Sequence, residues 1–429
     1  MDRRKSSKSS GVRKACAFGF CAWLLLLSPV ANAQPSANQL QAPAAEWSNG
    51  RTSTKPIIEI KNAYSYEPTA MIDTADKSWK VWFCGGDATG TYGDSIFYTT
   101  VDPSGTSARK PIPVLRPQNI DAAEDGKHAC SPSVIRHSNA KIEGGKDFYL
   151  LYYECARRMH DRSQKEAPVE GFTQICLAFS EDGIAWRKYN AQLWSKSGVF
   201  GKPDTNPTPV VAAAPKVLSN CKYAYTGGEH TIDMSNQTCS PKNLINNYGV
   251  GHPSALTMEK GSSKQIWLYY YDSRGDWSQH GVYLAKSWDG IHFTPPVKTD
   301  LANDASVKYY QGAFGEWSQV FVAMTVIGKT NGIAISEDGI HWAPKGSDIS
   351  IGNAVDAHCA APGPAAIVGD EGGHLSSLSV NILSPEGYFG QGEQGPKLGC
   401  YNASEDRARG STWKIYLLEG DIVAKEAAR

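Results

Sequence analysis

Beyond residue 30 the apolar positions of this chain alternate with polar ones in short runs, the period of half-buried β-strands. No long stretch carries the 3.6-residue period of an amphipathic helix. One phrase recurs: ICLAFSEDGIAW from Ile175 to Trp186, VYLAKSWDGIHF from Val282 to Phe293, and GIAISEDGIHW from Gly332 to Trp342. Each copy predicts an alternating strand, a tight Asp-Gly hairpin turn and a second strand opening on an aromatic, because glycine accepts the positive φ of a tight turn. Asp182, Asp289 and Asp338 are therefore expected to be structural turn residues, not catalytic acids.

A second phrase precedes these hairpins. Tyr66-Glu67-Pro68 leads into the aromatic run Trp79–Phe83, Cys130-Ser131-Pro132 into Phe148–Tyr153, and Gly251-His252-Pro253 into Gln265–Tyr271. Gly315-Glu316-Trp317 and Gly363-Pro364 read as weaker fourth and fifth copies. One unit thus comprises an x-Pro strand, an aromatic strand, a third strand, Asp-Gly and a fourth strand. Such repeats predict an all-β, five-bladed β-propeller over residues 56–429. Pro56–Ile60 or Trp413–Leu418 is expected to complete the last blade and close the ring. The Pro-, Asn- and Gly-rich stretch at about 192–248 is expected to be an insertion walling the funnel. A degenerate sixth blade there, giving a six-bladed ring, is the competing reading.

Composition changes the picture at the N-terminus. Arg3, Arg4, Lys5, Lys8, Arg13 and Lys14 precede the apolar run Ala15–Val30, and Ala31-Asn32-Ala33 offers a small-x-small cleavage site. Residues 1–33 therefore read as a secretory signal peptide, and 34–55 as a flexible N-terminal segment. That label carries six of the 43 bases and one of the 43 acids, which leaves a net charge of −5 on the mature chain. Such a surface offers no basic footprint for nucleic acid, or for a membrane after signal cleavage. Cys16 and Cys21 leave with the signal, and the remaining even count of cysteines suits disulfides in a secreted protein. Cys221–Cys239, inside one loop, and Cys359–Cys400, inside the last repeat, are the expected pairs. No cysteines have C-x₂-C spacing, so no metal cluster and no cofactor is expected.

In a propeller the first strand of each blade lines the axial channel, and its opening residues face the mouth. The residues before the repeated proline, held extended by its ring, then form a circle: Glu67, Ser131, His252, Glu316 and Gly363. Two carboxylates among the five exceed what a packed channel needs, since a buried carboxylate must be paired or working. These phrases resemble those of glycoside hydrolases of family 43 and of the related sugar-active propellers of families 32, 68, 117 and 130. The resemblance implies a carbohydrate ligand and inverting O-glycoside hydrolysis of an oligo- or polysaccharide. It places Glu67 as the base that activates water, His252 where a carboxylate tunes and orients the acid, and Glu316 as the general acid. This chain departs from the family in carrying Glu for Asp at position 67 and His for the third carboxylate at 252. A protonated His252 could itself serve as donor. A non-catalytic carbohydrate-binding propeller is the alternative, and a sialidase-type ring, whose arginine cluster is not evident, a minor third. Ser131, His128, Asp272, Arg274 and Trp317 are further candidates for substrate contact at the funnel top, with Glu154, Asp204 and Trp277 behind them. Oligomeric state is left open.

Overall fold

The computed structural model of the chain describes residues 45–53, 55–61, 63–86, 94–120, 123–126, 128–138, 147–161, 168–212, 223–226, 229–232, 249–260, 263–273, 280–314, 317–327, 330–342, 349–353, 359–360, 365–368, 377–387 and 413–424. The expected signal peptide, Glu316, Gly363, Arg274, Trp277, Cys221, Cys239 and Cys400 lie outside the described residues.

Strand β1 is Ala45–Thr52. Blade one comprises β2 (Ser65–Ile72), β3 (Trp79–Gly85), β4 (Ser95–Val101) and β5 (Ile112–Leu115). Blade two comprises β6 (His128–Ser138), β7 (Asp147–Asp161), β8 (Pro168–Ser180) and β9 (Arg187–Lys188). The short helix α1 (Ala191–Ser197), capped by Asn190, and the pair β10 (Tyr223–Thr226) and β11 (Glu229–Ile232) follow. Blade three is β12 (Val250–Lys260), β13 (Ser263–Asp272), β14 (Gly281–Ser287) and β15 (Val297–Lys298). Blade four is β16 (Ser306–Phe314), β17 (Trp317–Ile327), β18 (Thr330–Ser336) and β19 (Ile349–Gly352). Blade five is β20 (Cys359–Ala360), β21 (Ala366–Val368), β22 (Ser377–Gly387) and β23 (Lys414–Ala424), with β1 outermost.

The ring has five blades, each an antiparallel sheet of consecutive strands apart from the seam. Inner strands β2, β6, β12, β16 and β21 touch one another in that order, and β21 returns to β2. Among the described residues the insertion forms no sixth blade. Its pair β10–β11 extends blade two through a parallel contact of Thr231 and Ile232 with His160 and Asp161 of β7. Closure differs from the expectation. Residues 45–52, read as a flexible segment, form β1 and pair with β23, so the chain's beginning locks its last blade. Ile58 makes only an isolated bridge to Ile415, and Lys414–Leu418 of the other candidate belongs to β23, an interior strand of the last blade.

The core is divided among the five interfaces between blades. Trp79, Val81 and Phe83 of β3 pack toward blade five, while Trp82 packs toward blade two. Strand alternation thus sends successive side chains to opposite neighbours, and both faces of each interior strand are apolar. A polar lock repeats at three of these interfaces. Trp82 Nε1 donates to the Gly183 carbonyl at 2.7 Å, Tyr152 Oη to Gly290 at 2.9 Å, and Tyr269 Oη to Gly339 at 3.0 Å. Each glycine belongs to an Asp-Gly turn, with φ near +79°, +78° and +75°.

These turns are wider than the two-residue hairpins their sequence suggested, since β8 ends at Ser180 and β9 begins at Arg187. The reason is side-chain capping. Ser180 Oγ accepts from the Gly183 amide at 2.9 Å, and Asp182 Oδ1 from the amides of Ile184 and Ala185 at 2.8 Å. Asp289 and Asp338 repeat the arrangement, so all three aspartates are structural.

Candidate functional site

Glu67, Ser131 and His252 occupy the same place in three successive blades, and all three have positive φ, +47°, +45° and +47°. This overturns the extended conformation expected before proline. Each lies in a break of the strand register, between Tyr66 and Thr69, Cys130 and Ser133, and Gly251 and Ser254. The bulge redirects one side chain from the sheet face, and left-handed backbone on a non-glycine residue costs about 1–3 kcal/mol each. Three such residues together mark a place where the fold maintains strain.

The fourth member of the circle is Asp304. Ser133 Oγ accepts the Ala255 amide at 2.8 Å, and Ser254 Oγ accepts the Val307 amide at 2.8 Å. Position 307 in blade four therefore corresponds to 255 in blade three, and Asp304 to His252. Asp304-Ala305-Ser306-Val307 parallels Ser131-Pro132-Ser133-Val134, with alanine where the other blades carry proline. Without the proline Asp304 loses the marker of the repeated phrase, and Gly315-Glu316-Trp317 reads as the blade-four copy in its stead. In the structure residue 317 begins the second strand of that blade, and the inner strand is Ser306–Phe314. The alternate apolar positions Ala305, Val307 and Tyr309 were the signal available.

These residues form one row. His252 Nδ1 lies 3.1 Å from Glu67 Oε1, and its Nε2 lies 3.3 Å from Asp304 Oδ2. The Ser131 hydroxyl donates to Glu67 Oε2 and lies 3.4 Å from Glu154 Oε2, which accepts the His252 amide at 3.2 Å. Glu154 Oε1 meets His128 Nε2 at 2.9 Å, and His128 Nδ1 meets Asp94 at 2.8 Å. Asp94 also accepts from the hydroxyls of Tyr64 and Tyr66. A cavity of about 30 Å³ adjoins the row, lined by Glu67, Ser131, His252, Ser254 and Ser306, which is room for about two waters.

Charge follows from this packing. Burial opposes protonation of His128, but its hydrogen bonds to Asp94 and Glu154 overcome that and push it up to about 10. His252 is likewise resisted by burial, yet Asp304 and Glu67 hold it well above the usual histidine range. Burial raises the Asp304 carboxyl; the His252 cation pulls it back, Glu67 and Glu154 add to the rise, and the net direction is upward.

A disulfide joins Cys84 at the end of β3 to Cys130, the residue before Ser131, and a second joins Cys155 of β7 to Cys176 of β8. Neither was among the expected pairs. Among the described residues Cys84, Asp94 and Cys130 have the spacing of a metal site, but the two sulfurs are bonded to each other and offer no thiolate.

Of the remaining candidates, Trp317 does not reach the site. It is buried in the core between blades four and five with Phe314 and Val320. Asp272 ends β13 opposite Val250, buried at the mouth end of blade three. Asp204 is exposed in a turn. His128 is brought in, but with both nitrogens on carboxylates.

No family model matches this chain, and no curated protein does. Solved structures of similar fold include an N-acetylgalactosamine deacetylase from F. plautii in complex with blood group B trisaccharide, at 13% identity over 88% of this chain and 94% of that one, with a TM-score of 0.41. A glycoside hydrolase of family 130, from a study of enzymes that target β-1,2 mannosidic linkages in Candida mannan, matches at 13% identity over 87% and 93%, TM-score 0.44. The GH43_1 enzyme from Xanthomonas citri complexed with xylotriose matches at 11% over 78% and 84%, TM-score 0.42.

Proposed function

We propose that this protein is an exported O-glycoside hydrolase that works with inversion, with Glu67 as base and Asp304 as acid. The observation that carries the reading is the row Glu67–His252–Asp304 at the axis. An imidazole with Nδ1 3.1 Å from Glu67 and Nε2 3.3 Å from Asp304 sets two carboxyl groups roughly 8 Å apart, within the ~6.5–9.5 Å that admits water beside a sugar. Asp304 has the raised carboxyl that a proton donor needs. Glu67 accepts from Ser131 and faces the His252 cation. A carboxylate has about four lone-pair positions, so it can still accept a proton from water. Water deprotonated by Glu67 would attack the anomeric carbon as Asp304 protonates the departing oxygen. The two disulfides support an oxidising compartment. Among the described residues no helix is long and apolar enough to cross a membrane.

A second reading, a carbohydrate-binding propeller without turnover, is favoured by the engagement of both Glu67 oxygens within the protein. Nitrophenyl arabinosides, xylosides and galactosides and a polysaccharide panel separate the two. Turnover that falls about 100-fold or more in Glu67→Gln and Asp304→Asn supports the hydrolase. Loss in Glu316→Gln with Asp304→Asn unaffected would return the acid role to Glu316. Binding without turnover in every form supports the module.

A further inference from the structure

Both nitrogens of His128 are taken, Nδ1 by Asp94 at 2.8 Å and Nε2 by Glu154 at 2.9 Å, so the ring has none to offer a sugar hydroxyl. Its position suits a different task. Asp94 comes from the edge of β4 in blade one and Glu154 from β7 in blade two, so the imidazole joins the two blades at the mouth. Glu154 is fully buried, and a buried carboxylate needs a charged partner. Held there, its second oxygen accepts the His252 amide at 3.2 Å and lies 3.4 Å from the Ser131 hydroxyl, which in turn donates to Glu67. Ser131 and His252 have left-handed backbones, which persist only where their surroundings over-determine them.

We propose that His128 is a positioning residue for glycoside cleavage: clamped between Asp94 and Glu154, it fixes the buried carboxylate that holds Ser131 and the His252 amide, and through them Glu67. The inference rests on the hydrolase reading of the funnel for its kinetic consequence, and on geometry alone for the coupling of His128 to His252. The charged and titratable groups facing His128 are Asp94 of blade one and Glu154 of blade two. The hydroxyls of Tyr64 and Tyr66 lie behind Asp94, and His252 and Glu67 lie beyond Glu154. The Cys84–Cys130 bridge beside them does not titrate.

The test is His128→Gln, which keeps a polar side chain and removes the cation, with Asp94→Asn as a milder variant should the first fail to fold. With a 4-nitrophenyl glycoside that the wild type hydrolyses, kcat falls about 100-fold, the cost of a small misplacement of reacting groups, while KM stays close to wild type and the melting temperature falls by a few degrees, because Glu154 stays buried without its cation. The acid limb of the kcat/KM profile moves to higher pH, because carboxylates that lose a neighbouring cation hold their protons longer. Wild-type kcat with an unmoved pH profile overturns the proposal. If the wild type cleaves no probe, the hydrolase reading fails, and the clamp is read instead from the ring resonances of His252 in histidine-labelled protein. A displaced His252 signal in His128→Gln upholds the coupling, and superimposable spectra refute it.

Discussion

The lock between blades two and three allows a worked perturbation. Tyr152 is fully buried, and its hydroxyl donates to the Gly290 carbonyl at 2.9 Å. A Cβ at Gly290 would sit 2.9 Å from that hydroxyl, 3.1 Å from Ile266 Cδ1 and 3.2 Å from Leu150 Cδ1, on a backbone at φ +78°. Tyr152→Phe removes one buried hydrogen bond and costs about 1–2 kcal/mol. Gly290→Ala carries a left-handed penalty of about 1–2 kcal/mol and displaces the hydroxyl at about 1–3 kcal/mol more. The two are not independent. Without the hydroxyl the new methyl meets only the Ile266 and Leu150 methyls, which can yield by tenths of an ångström, and the hydrogen bond is lost once. The double variant should therefore be about 1 kcal/mol more stable than the sum of the singles predicts. Urea unfolding is the suitable assay, because for a chain of this length melting shifts only about 1 °C per kcal/mol. Additive costs, or a neutral Gly290→Ala, would refute the steric and hydrogen-bonding account of the blade interface.

Two further outcomes follow from features near the funnel. Replacing Cys84 and Cys130 by Ala removes a bridge between blades separated by 46 residues, and replacing Cys155 and Cys176 one within blade two separated by 21. Chain-entropy reasoning gives about 4 and 3 kcal/mol, and because Cys130 precedes Ser131 and Cys155 follows Glu154, both replacements should also lower turnover; wild-type activity in either variant would contradict that. His137 is buried beside Phe148, where burial and then Lys264 pull its pKa down to about 4. Its ordinary, unfolded value lies above the folded one, so unfolding takes up a proton and stability is lost as pH falls from about 6.5 toward 4. His137→Leu should flatten the stability profile in that window, measured by urea midpoints, and an unchanged slope would show that other groups set it.

Much of the fold is legible in the residues. Asp-Gly and x-Pro phrases repeat because blades two to four share one turn and blades one to three share one axial bulge, and both require particular backbone conformations. The circle through Glu67, Ser131 and His252 could be read from that repetition. Asp304 is not legible in the same way, because alanine follows it and the phrase loses its marker. Glu154 and Asp94 sit at the ends of aromatic strands and loops, where only tertiary pairing brings them to His128. Closure by β1 was hidden for a related reason. Ala45–Thr52 is short and polar, an outer strand exposed along most of its length, so it lacks the apolar alternation that announces the inner strands.

The proposed hydrolysis requires Glu67 and Asp304 to work as a pair across His252. The decisive measurement is kcat/KM for wild type, Glu67→Gln and Asp304→Asn over aryl glycosides whose leaving phenols span a wide pKa range. Asp304→Asn should stay near wild type with the most acidic phenol and fall increasingly as the phenol becomes harder to expel, while Glu67→Gln should lose a similar factor with all. Parallel behaviour of the two variants, or wild-type rates in both, would contradict the pairing.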